Sequence, residues 1–204
     1  MTAERCSWSQ GSDLYISYHD KEWGRPCYDP RQLFEMLNLE GAQAGLSWIT
    51  ILQKRENYRK AFKNFDPGKV SRMRDSSLEK LLQDPGIVRN RLKVQAVRTN
   101  ARIYVEMEKN GEDFAEYLWS FVNHVPLQNK RRTLKSVPAK TAESDAMSKD
   151  LKKRGFKFCG STICYAFMQA TGMVNDHLLS CPSYEPSKKL AATRHMPAGW
   201  PGRR

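Results

Sequence analysis

The sequence predicts an all-α fold with one main domain. Apolar residues recur at spacings of three and four along most of the 204 residues, and Gly or Pro interrupts this pattern at intervals of a helix length. No convincing run of alternating apolar and polar residues indicates a β-strand. We expect eight helices, at residues 13–23, 30–40, 46–65, 76–83, 88–109, 112–122, 142–154 and 161–171.

The second and third of these helices form the predicted centre of the fold. Pro30 stands at the first position of the second helix, where its missing N–H group costs nothing. Residues 30–40 and 46–65 are dense in apolar side chains, so both helices are expected to be buried on broad faces. The link at 40–45 is therefore predicted to be a tight turn of small residues inside the core.

The charge balance indicates an anionic partner. The chain has 34 basic and 22 acidic residues, a net charge of +12, and its 40% of hydrophobic residues excludes a wholly disordered basic chain. A positive field concentrates polyanions, so nucleic acid is the first partner to consider, and acidic membranes or acidic proteins are the second.

Two segments are especially basic. Pro126 and Pro138 lie within a segment at 123–142 that has several basic and no acidic residues, which predicts an exposed basic connector. Residues 186–204 hold five basic and no acidic residues together with three prolines. This composition predicts a disordered tail that adds non-specific affinity for DNA and follows a single domain at 1–185.

The sequence predicts a cytoplasmic protein without a membrane partner. Its first residues contain no apolar segment typical of an export signal, and no stretch approaches the roughly 18 apolar residues that span a bilayer. The five cysteines are an odd number, which in a chain without an export signal argues against a disulfide framework. The cysteines are therefore expected to be reduced thiols or metal ligands.

Two Cys/His pairs form a candidate metal site. Cys6 with His19 and His177 with Cys181 would together supply the thiolate and imidazole ligands of a tetrahedral zinc ion. With four protein ligands and no open position, such a zinc would be structural and would join the N-terminal to the C-terminal segment. The alternative is that these are unrelated thiols and imidazoles, because the two pairs lie far apart in the sequence.

A turn with two glycines separates the last two expected helices. Gly155 and Gly160 permit a sharp hairpin whose backbone N–H groups, at the start of the following helix, could bind a phosphate. The alternative is an ordinary helix end at Gly155 followed by a loop. A second candidate for phosphate binding, at 84–93, combines a turn with three basic residues. The alternative is that these residues form a solvated helix face.

An aromatic group near one carboxylate forms a candidate ligand pocket. Aromatic faces combined with one anion can bind a flat cation by stacking and by cation–π attraction. The alternative is ordinary core packing, since most aromatic residues are buried for that reason. The residues concerned are Trp8, Tyr15, Tyr18, Trp23, Glu40 and Trp48.

Seven segments in register carry a resemblance to a known family. They are RCSW (5–8), YISYHDKEWG (15–24), LFEM (33–36), LEGAQAGLSW (39–48), KRENYR (54–59), GFKFCG (155–160) and VNDH (174–177). They run in order from about residue 5 to about residue 184. In these segments the chain resembles the type I 3-methyladenine DNA glycosylases, a bacterial family of the helix-hairpin-helix superfamily.

The resemblance implies a role for each candidate residue. It implies a helix-hairpin-helix DNA glycosylase fold in which one structural Zn²⁺ fastens the two chain ends. The implied zinc ligands are Cys6, His19, His177 and Cys181. The implied pocket for a flipped base contains Glu40 as the catalytic residue and Tyr15, Tyr18, Trp48, Trp8 and Trp23 as substrate-binding residues. The implied DNA-binding hairpin contains Gly155, Phe156, Lys157, Gly160 and Ser161.

The implied reaction is hydrolysis of the N-glycosidic bond of 3-methyladenine. The resemblance also implies that the protein acts as a monomer on double-stranded alkylated DNA, in the nucleoid of a bacterium. Ionised Glu40 is expected to favour the cationic base, which leaves readily after the nucleotide has been extruded from the stack. Ser161 and Thr162 occupy the region where strand-cleaving relatives carry a lysine, so hydrolysis without strand cleavage is expected. Asp176 is left outside the catalytic set, because it adjoins the implied ligand His177.

Two alternatives remain compatible with the sequence. One is a zinc-stapled DNA-binding protein of the same fold that excises no lesion. The other is a glycosylase for another alkylated purine, such as 3-methylguanine.

Overall fold

Helices account for most of the computed structural model, which describes residues 4–193, 197, 199 and 200. Within these residues ten α-helices follow one another: α1 Asp13–Lys21, α2 Pro30–Gln43, α3 Trp48–Ala61, α4 Pro67–Ser71, α5 Asp75–Leu81, α6 Arg91–Lys109, α7 Phe114–Ser120, α8 Ala142–Lys153, α9 Ser161–Ala170 and α10 Tyr184–Thr193. The predicted all-α class is confirmed, and each of the eight expected helices is present within four residues of its predicted bounds. No described helix is long and apolar enough to cross a lipid bilayer.

Short elements account for most of what the helical pattern missed. Strands β1 (Leu127–Gln128) and β2 (Val174–Asn175) pair in parallel. A strand of two residues is too short to show alternation, so no sequence periodicity could reveal it. Helix α4 has five residues and begins at Pro67. The side chain of Asp66 caps this helix by accepting a hydrogen bond from the backbone N–H of Lys69.

The C-terminal segment is more ordered than its composition predicts. The expected disorder is wrong for residues 186–193, which belong to α10, because Tyr184 and Ser187 lie one turn apart on a buried helix face. Trp200 is also buried. The basic residues Arg194, Arg203 and Arg204 lie outside the described residues, so a contribution of the tail to DNA affinity stays a prediction.

Helix α2 is the central helix, and it is longer than expected. It packs against α3, α6, α7 and α9, and residues 37–42 are buried on all sides. The predicted turn at 40–45 is wrong because α2 continues to Gln43. The ammonium group of Lys93 donates hydrogen bonds to the carbonyl groups of Ala42 (2.8 Å) and Ala44 (2.6 Å), which satisfies the end of the helix.

The turn between α8 and α9 is both a helix end and a hairpin. Gly155 has a φ of +97°, and its N–H donates to the carbonyl of Lys152, while the N–H of Phe156 donates to the carbonyl of Leu151. This pair of bonds is the Schellman motif that ends many helices at a glycine. Five residues later, Gly160 precedes the first turn of α9. The helix end is therefore confirmed, and binding of a phosphate by the hairpin stays a prediction.

The hairpin at 154–160 is fastened to α2 and α6. Asn100 on α6 accepts a hydrogen bond from the N–H of Lys157 (2.8 Å) and donates one to the carbonyl of the same residue (3.2 Å). On α2, a Cβ atom added to Gly41 would lie 3.0 Å from Cβ of Phe158, so glycine permits this approach without a shift of the hairpin. The hairpin and the helix that carries Glu40 are thus in direct contact.

Candidate functional site

A pocket of about 360 Å³ opens beside the end of α2. The structure brings all six residues of the predicted pocket into its lining: Trp8, Tyr15, Tyr18, Trp23, Glu40 and Trp48. Sequence reasoning missed the other six lining residues, which are Gln43, Leu134, Val137, Ala166, Gln169 and Asp176. Leu134 and Val137 come from the basic connector, so this segment forms part of the pocket wall.

Aromatic rings form much of the pocket wall. Tyr18 and Trp48 lie with ring centroids 5.5 Å apart at a tilt of 46°. Trp8 makes edge contacts with Tyr15 at 5.2 Å and with Trp23 at 4.9 Å. These offset and edge geometries are the favoured ones for aromatic pairs, so the wall stabilises itself while it leaves a space suited to a flat ring.

Glu40 is a buried acid without a partner. Its side chain is 3% exposed, and among the described residues nothing bonds to its Oε2 atom, to the hydroxyl of Tyr18 or to the indole N–H of Trp48. Buried polar atoms are nearly always hydrogen-bonded, so three unpaired atoms in one pocket indicate the position of a polar ligand.

Burial also controls the charge of Glu40. Removal from water raises the pKa of its carboxyl group to about 8. Without a ligand the group is therefore mostly protonated at pH 7, which differs from the ionised Glu40 expected from the sequence. A cation in the pocket would lower this pKa, because opposite charge favours the ionised form.

We expect the substitution Glu40→Gln to stabilise the protein increasingly as the pH rises from 5 to 8. Between the ordinary pKa of 4.5 and the folded value of about 8, the folded state holds a proton that the unfolded state has released. Wild-type stability therefore falls with rising pH, by at most about 1.4 kcal/mol per pH unit from this group. Urea unfolding of both proteins at several pH values measures the difference, and a difference that does not change with pH would contradict the assignment.

The four predicted metal ligands form one buried cluster. One ligand atom from each of Cys6, His19, His177 and Cys181 lies within 4.8 Å of the others. The sulfur of Cys181 is 3.5 Å from Nε2 of His19 and 3.7 Å from Nδ1 of His177, and the sulfur of Cys6 is 3.9 Å from the latter atom. This group of side chains could hold a metal ion.

Outer contacts orient both imidazole rings of the cluster. Nδ1 of His19 bonds to the carboxylate of Asp20 at 2.8 Å, and Nε2 of His177 lies 3.2 Å from the backbone carbonyl of Trp23. Each ring therefore presents its other nitrogen to the cysteines, as metal-binding histidines do. These features favour a metal over four unrelated side chains.

Asp176 lies in the pocket wall with a complete set of hydrogen bonds. Its Oδ1 atom accepts from the amide of Asn129 (2.7 Å) and from Nε of Arg131 (3.2 Å). Its Oδ2 atom accepts from the hydroxyl of Tyr165 and from the amide of Gln169 (2.8 Å). No sequence pattern indicates this network, because its members come from the connector, from α9 and from the position just after β2.

The hairpin offers backbone N–H groups at the start of α9. The first N–H groups of a helix have no partner within it, and no side chain caps this end. Lys157 is exposed at the hairpin. The side chain of Phe156, in contrast, is buried and stacks on Phe114 with centroids 6.0 Å apart, so the predicted role of this residue in DNA binding could fall only to its backbone.

The second basic candidate, at 84–93, has a structural role. Lys93 binds the end of α2, and Arg91 pairs with Glu79. Two of its three cations are thus engaged within the protein.

Three comparisons relate this chain to known proteins. The family model for methyladenine glycosylase matches residues 8–184. The chain is 57% identical over 185 residues to DNA-3-methyladenine glycosylase 1 of Escherichia coli (strain K12), which covers 91% of this chain and 99% of the relative. A crystal structure of 3-methyladenine DNA glycosylase I matches with a TM-score of 0.88 and 54% identity, over 89% of this chain and all of that one. A variant of such an enzyme in complex with 3-methyladenine matches with a TM-score of 0.85 and 37% identity, over 90% of this chain and 98% of that one.

Proposed function

We propose a function for this chain on the premise that it belongs to the methyladenine glycosylase family. It is a DNA-3-methyladenine glycosylase, which releases the damaged base from alkylated DNA by breaking the N-glycosidic bond. The main structural support for this assignment is the aromatic pocket around Glu40, whose buried carboxyl group has no partner.

The pocket suits the chemistry of the methylated base. Methylation at N3 gives adenine in DNA a positive charge, which weakens the glycosidic bond and makes the base a good leaving group. The protein therefore has to extrude the nucleotide and hold the base, at a cost of a few kcal/mol for unstacking. The rings of Tyr18 and Trp48 provide stacking and cation–π contacts, and the carboxylate of Glu40 pairs with the cation.

Selectivity follows from the desolvation of Glu40. An unmethylated adenine brings no positive charge, so the carboxyl group beside it must either stay protonated or ionise unpaired in a buried site, which is costly. A methylated base supplies the missing counter-charge. The same burial that raises the pKa of Glu40 to about 8 therefore makes the pocket discriminate by the charge of the base.

The absence of a nucleophilic amine in the pocket supports hydrolysis without strand cleavage. No lysine lines the described pocket, and Ser161 and Thr162 stand at the start of α9. Attack on the sugar by an amine, which would lead to strand cleavage, has no candidate group there. Water is then the nucleophile.

We assign the DNA backbone to the hairpin at 154–160. Free N–H groups at the start of a ten-residue helix favour a phosphate, and the exposed ammonium of Lys157 adds a positive charge beside them. The net charge of +12 favours the same partner. The protein acts on double-stranded DNA as a monomer in this proposal.

We also propose that the Cys/His cluster holds one structural Zn²⁺. Two sulfur and two imidazole ligands form a preferred zinc shell, and both rings are already oriented toward a common centre. Four protein ligands leave no position for water or substrate, so the ion takes no part in the reaction. It fastens the segment around Cys6 to the segment between β2 and α10.

Base release from methylated DNA tests the proposed function. Wild-type protein is expected to release 3-methyladenine much faster than 7-methylguanine, and to leave abasic sites that become strand breaks only after alkali. Folded, metal-loaded protein that releases no base would indicate the DNA-binding alternative. Release of other methylated purines in place of 3-methyladenine would indicate a different lesion, and breaks without alkali would contradict hydrolysis alone.

A further inference from the structure

The side-chain amide of Gln169 has one defined orientation. Its Nε2 atom donates a hydrogen bond of 2.8 Å to Oδ2 of Asp176. An ionised carboxylate can only accept hydrogen bonds, so the amide must turn its NH₂ group toward Asp176. The carbonyl oxygen, Oε1, therefore faces away from Asp176.

Asp176 cannot move to accommodate a different orientation of the amide. Its side chain is fully buried, and Nε of Arg131 pairs with its Oδ1 atom at 3.2 Å. Hydrogen bonds from Asn129 and Tyr165 hold the two oxygens from other sides. The carboxylate is thus a rigid acceptor, and the orientation of Gln169 follows from it.

The carbonyl oxygen of Gln169 is available to a ligand. No described residue donates a hydrogen bond to this oxygen, and it does not belong to the buried polar atoms without a partner. It is therefore accessible, in a residue that lines the same pocket as Glu40. Gln169 is thus a pocket residue with an unpaired carbonyl oxygen that is turned away from Asp176.

A fixed acceptor distinguishes adenine from guanine. At position 6 adenine carries an amino group with two hydrogens, whereas guanine carries a carbonyl oxygen that only accepts. An amino group can donate to Glu40 and to Gln169 together. A guanine oxygen at the same place would face the oxygen of Gln169 without a hydrogen between them, which leaves both acceptors unpaired.

We propose that Gln169 is a specificity-determining residue that selects 3-methyladenine over 3-methylguanine, and that Asp176 is the positioning residue that fixes the amide of Gln169. This inference rests on the proposed function and deepens it. It also gives Asp176 a role that does not require contact with the reacting atoms.

Binding of the two free bases to Gln169→Met tests the inference without any chemical step. The tryptophans of the pocket report binding by fluorescence quenching. Methionine keeps the length of the side chain but loses the acceptor, so the affinity for 3-methyladenine should fall about tenfold. The affinity for 3-methylguanine should not fall, because the unpaired acceptor that opposes its oxygen is removed. The preference for 3-methyladenine over 3-methylguanine should therefore fall by at least about tenfold. An unchanged preference would overturn the proposal.

Gln83→Met is the matched control. Gln83 is exposed just after α5 and does not line the pocket. The substitution is expected to leave the ratio of the two affinities unchanged. An equal loss of preference in both variants would show that the amide of Gln169 has no special role.

Asp176→Asn tests the positioning role. Asparagine has nearly the same shape but can donate to Gln169, so the amide of Gln169 is free to reverse. The preference for 3-methyladenine should fall as in Gln169→Met, with circular dichroism and metal content unchanged, and a retained preference would contradict the role of Asp176. If this variant does not fold or loses metal, Gln169→Met decides.

Binding of the two bases to the wild-type protein distinguishes failure of the inference from failure of the proposed function. Binding of both bases with equal affinity would overturn the inference while the assignment as a glycosylase stands. Binding of neither base, together with no release from methylated DNA, would overturn both.

Discussion

Glu40→Gln is expected to release 3-methyladenine from methylated DNA about 100-fold more slowly than the wild-type protein. Glutamine preserves the size of the side chain and one acceptor oxygen, but it removes the negative charge that pairs with the cationic base. A hydrogen bond to a charged group contributes about 1.5–3 kcal/mol, which corresponds to about one to two orders of magnitude in rate. Single-turnover base release measures the effect, and Glu106→Gln, on the exposed face of α6, controls for the loss of one charge.

The pH dependence of the same reaction gives an independent check. The substrate cation does not titrate near neutrality, so kcat/KM should rise with pH until Glu40 in the free enzyme is ionised, with an apparent pKa of about 8. In Glu40→Gln this rise should be absent. A rate that falls over this range would instead indicate that Glu40 acts as a proton donor, and equal rates for both proteins would remove it from the mechanism.

Loss of the metal is expected to have the largest effect on stability. Cys6→Ser should reduce the metal content and lower the free energy of unfolding by several kcal/mol, or the melting temperature by more than about 10 °C. The reason is that Cys6 and His177 are 171 positions apart in the sequence, so one ion closes nearly the whole chain. Elemental analysis and thermal unfolding, with and without a chelator, measure both effects.

Cys27→Ser is the control for metal loss. Cys27 lies outside the cluster, and its sulfur bonds to Gln32, so its substitution should leave the metal content unchanged. Wild-type protein purified without chelator that contains far less than one zinc per chain, and that melts at the same temperature as Cys6→Ser, would exclude the proposed metal site.

The sequence predicted those parts of the molecule that depend on local pattern. Apolar spacing is a property of each helix alone, so all eight expected helices were found, and Gly155 and Gly160 marked the hairpin. The residue types marked the aromatic and Cys/His groups as candidates, and the family resemblance then selected the pocket and the metal site over the ordinary alternatives. Their assembly into one pocket and one cluster required the fold.

Other features depend on contacts between distant segments, which no local pattern contains. Helix α2 extends to Gln43 because Lys93, some fifty positions away, binds the carbonyl groups at its end. Asp176 was left out of the pocket because only the fold shows what surrounds it. The helix at 184–193 was missed because its basic composition hides the buried side that begins with Tyr184.

The contact between Gly41 and Phe158 sets the distance between the hairpin and the carboxyl group of Glu40. The hairpin proposed to bind a phosphate and the helix that carries Glu40 are so close that a methyl group added to Gly41 would require one of them to shift. Asn100 holds the same hairpin from the other side, so the interval between grip and carboxyl group is a fixed length. In the proposed complex, a strand bound at the hairpin would bring a base to Glu40 by movement of the nucleotide out of the DNA helix.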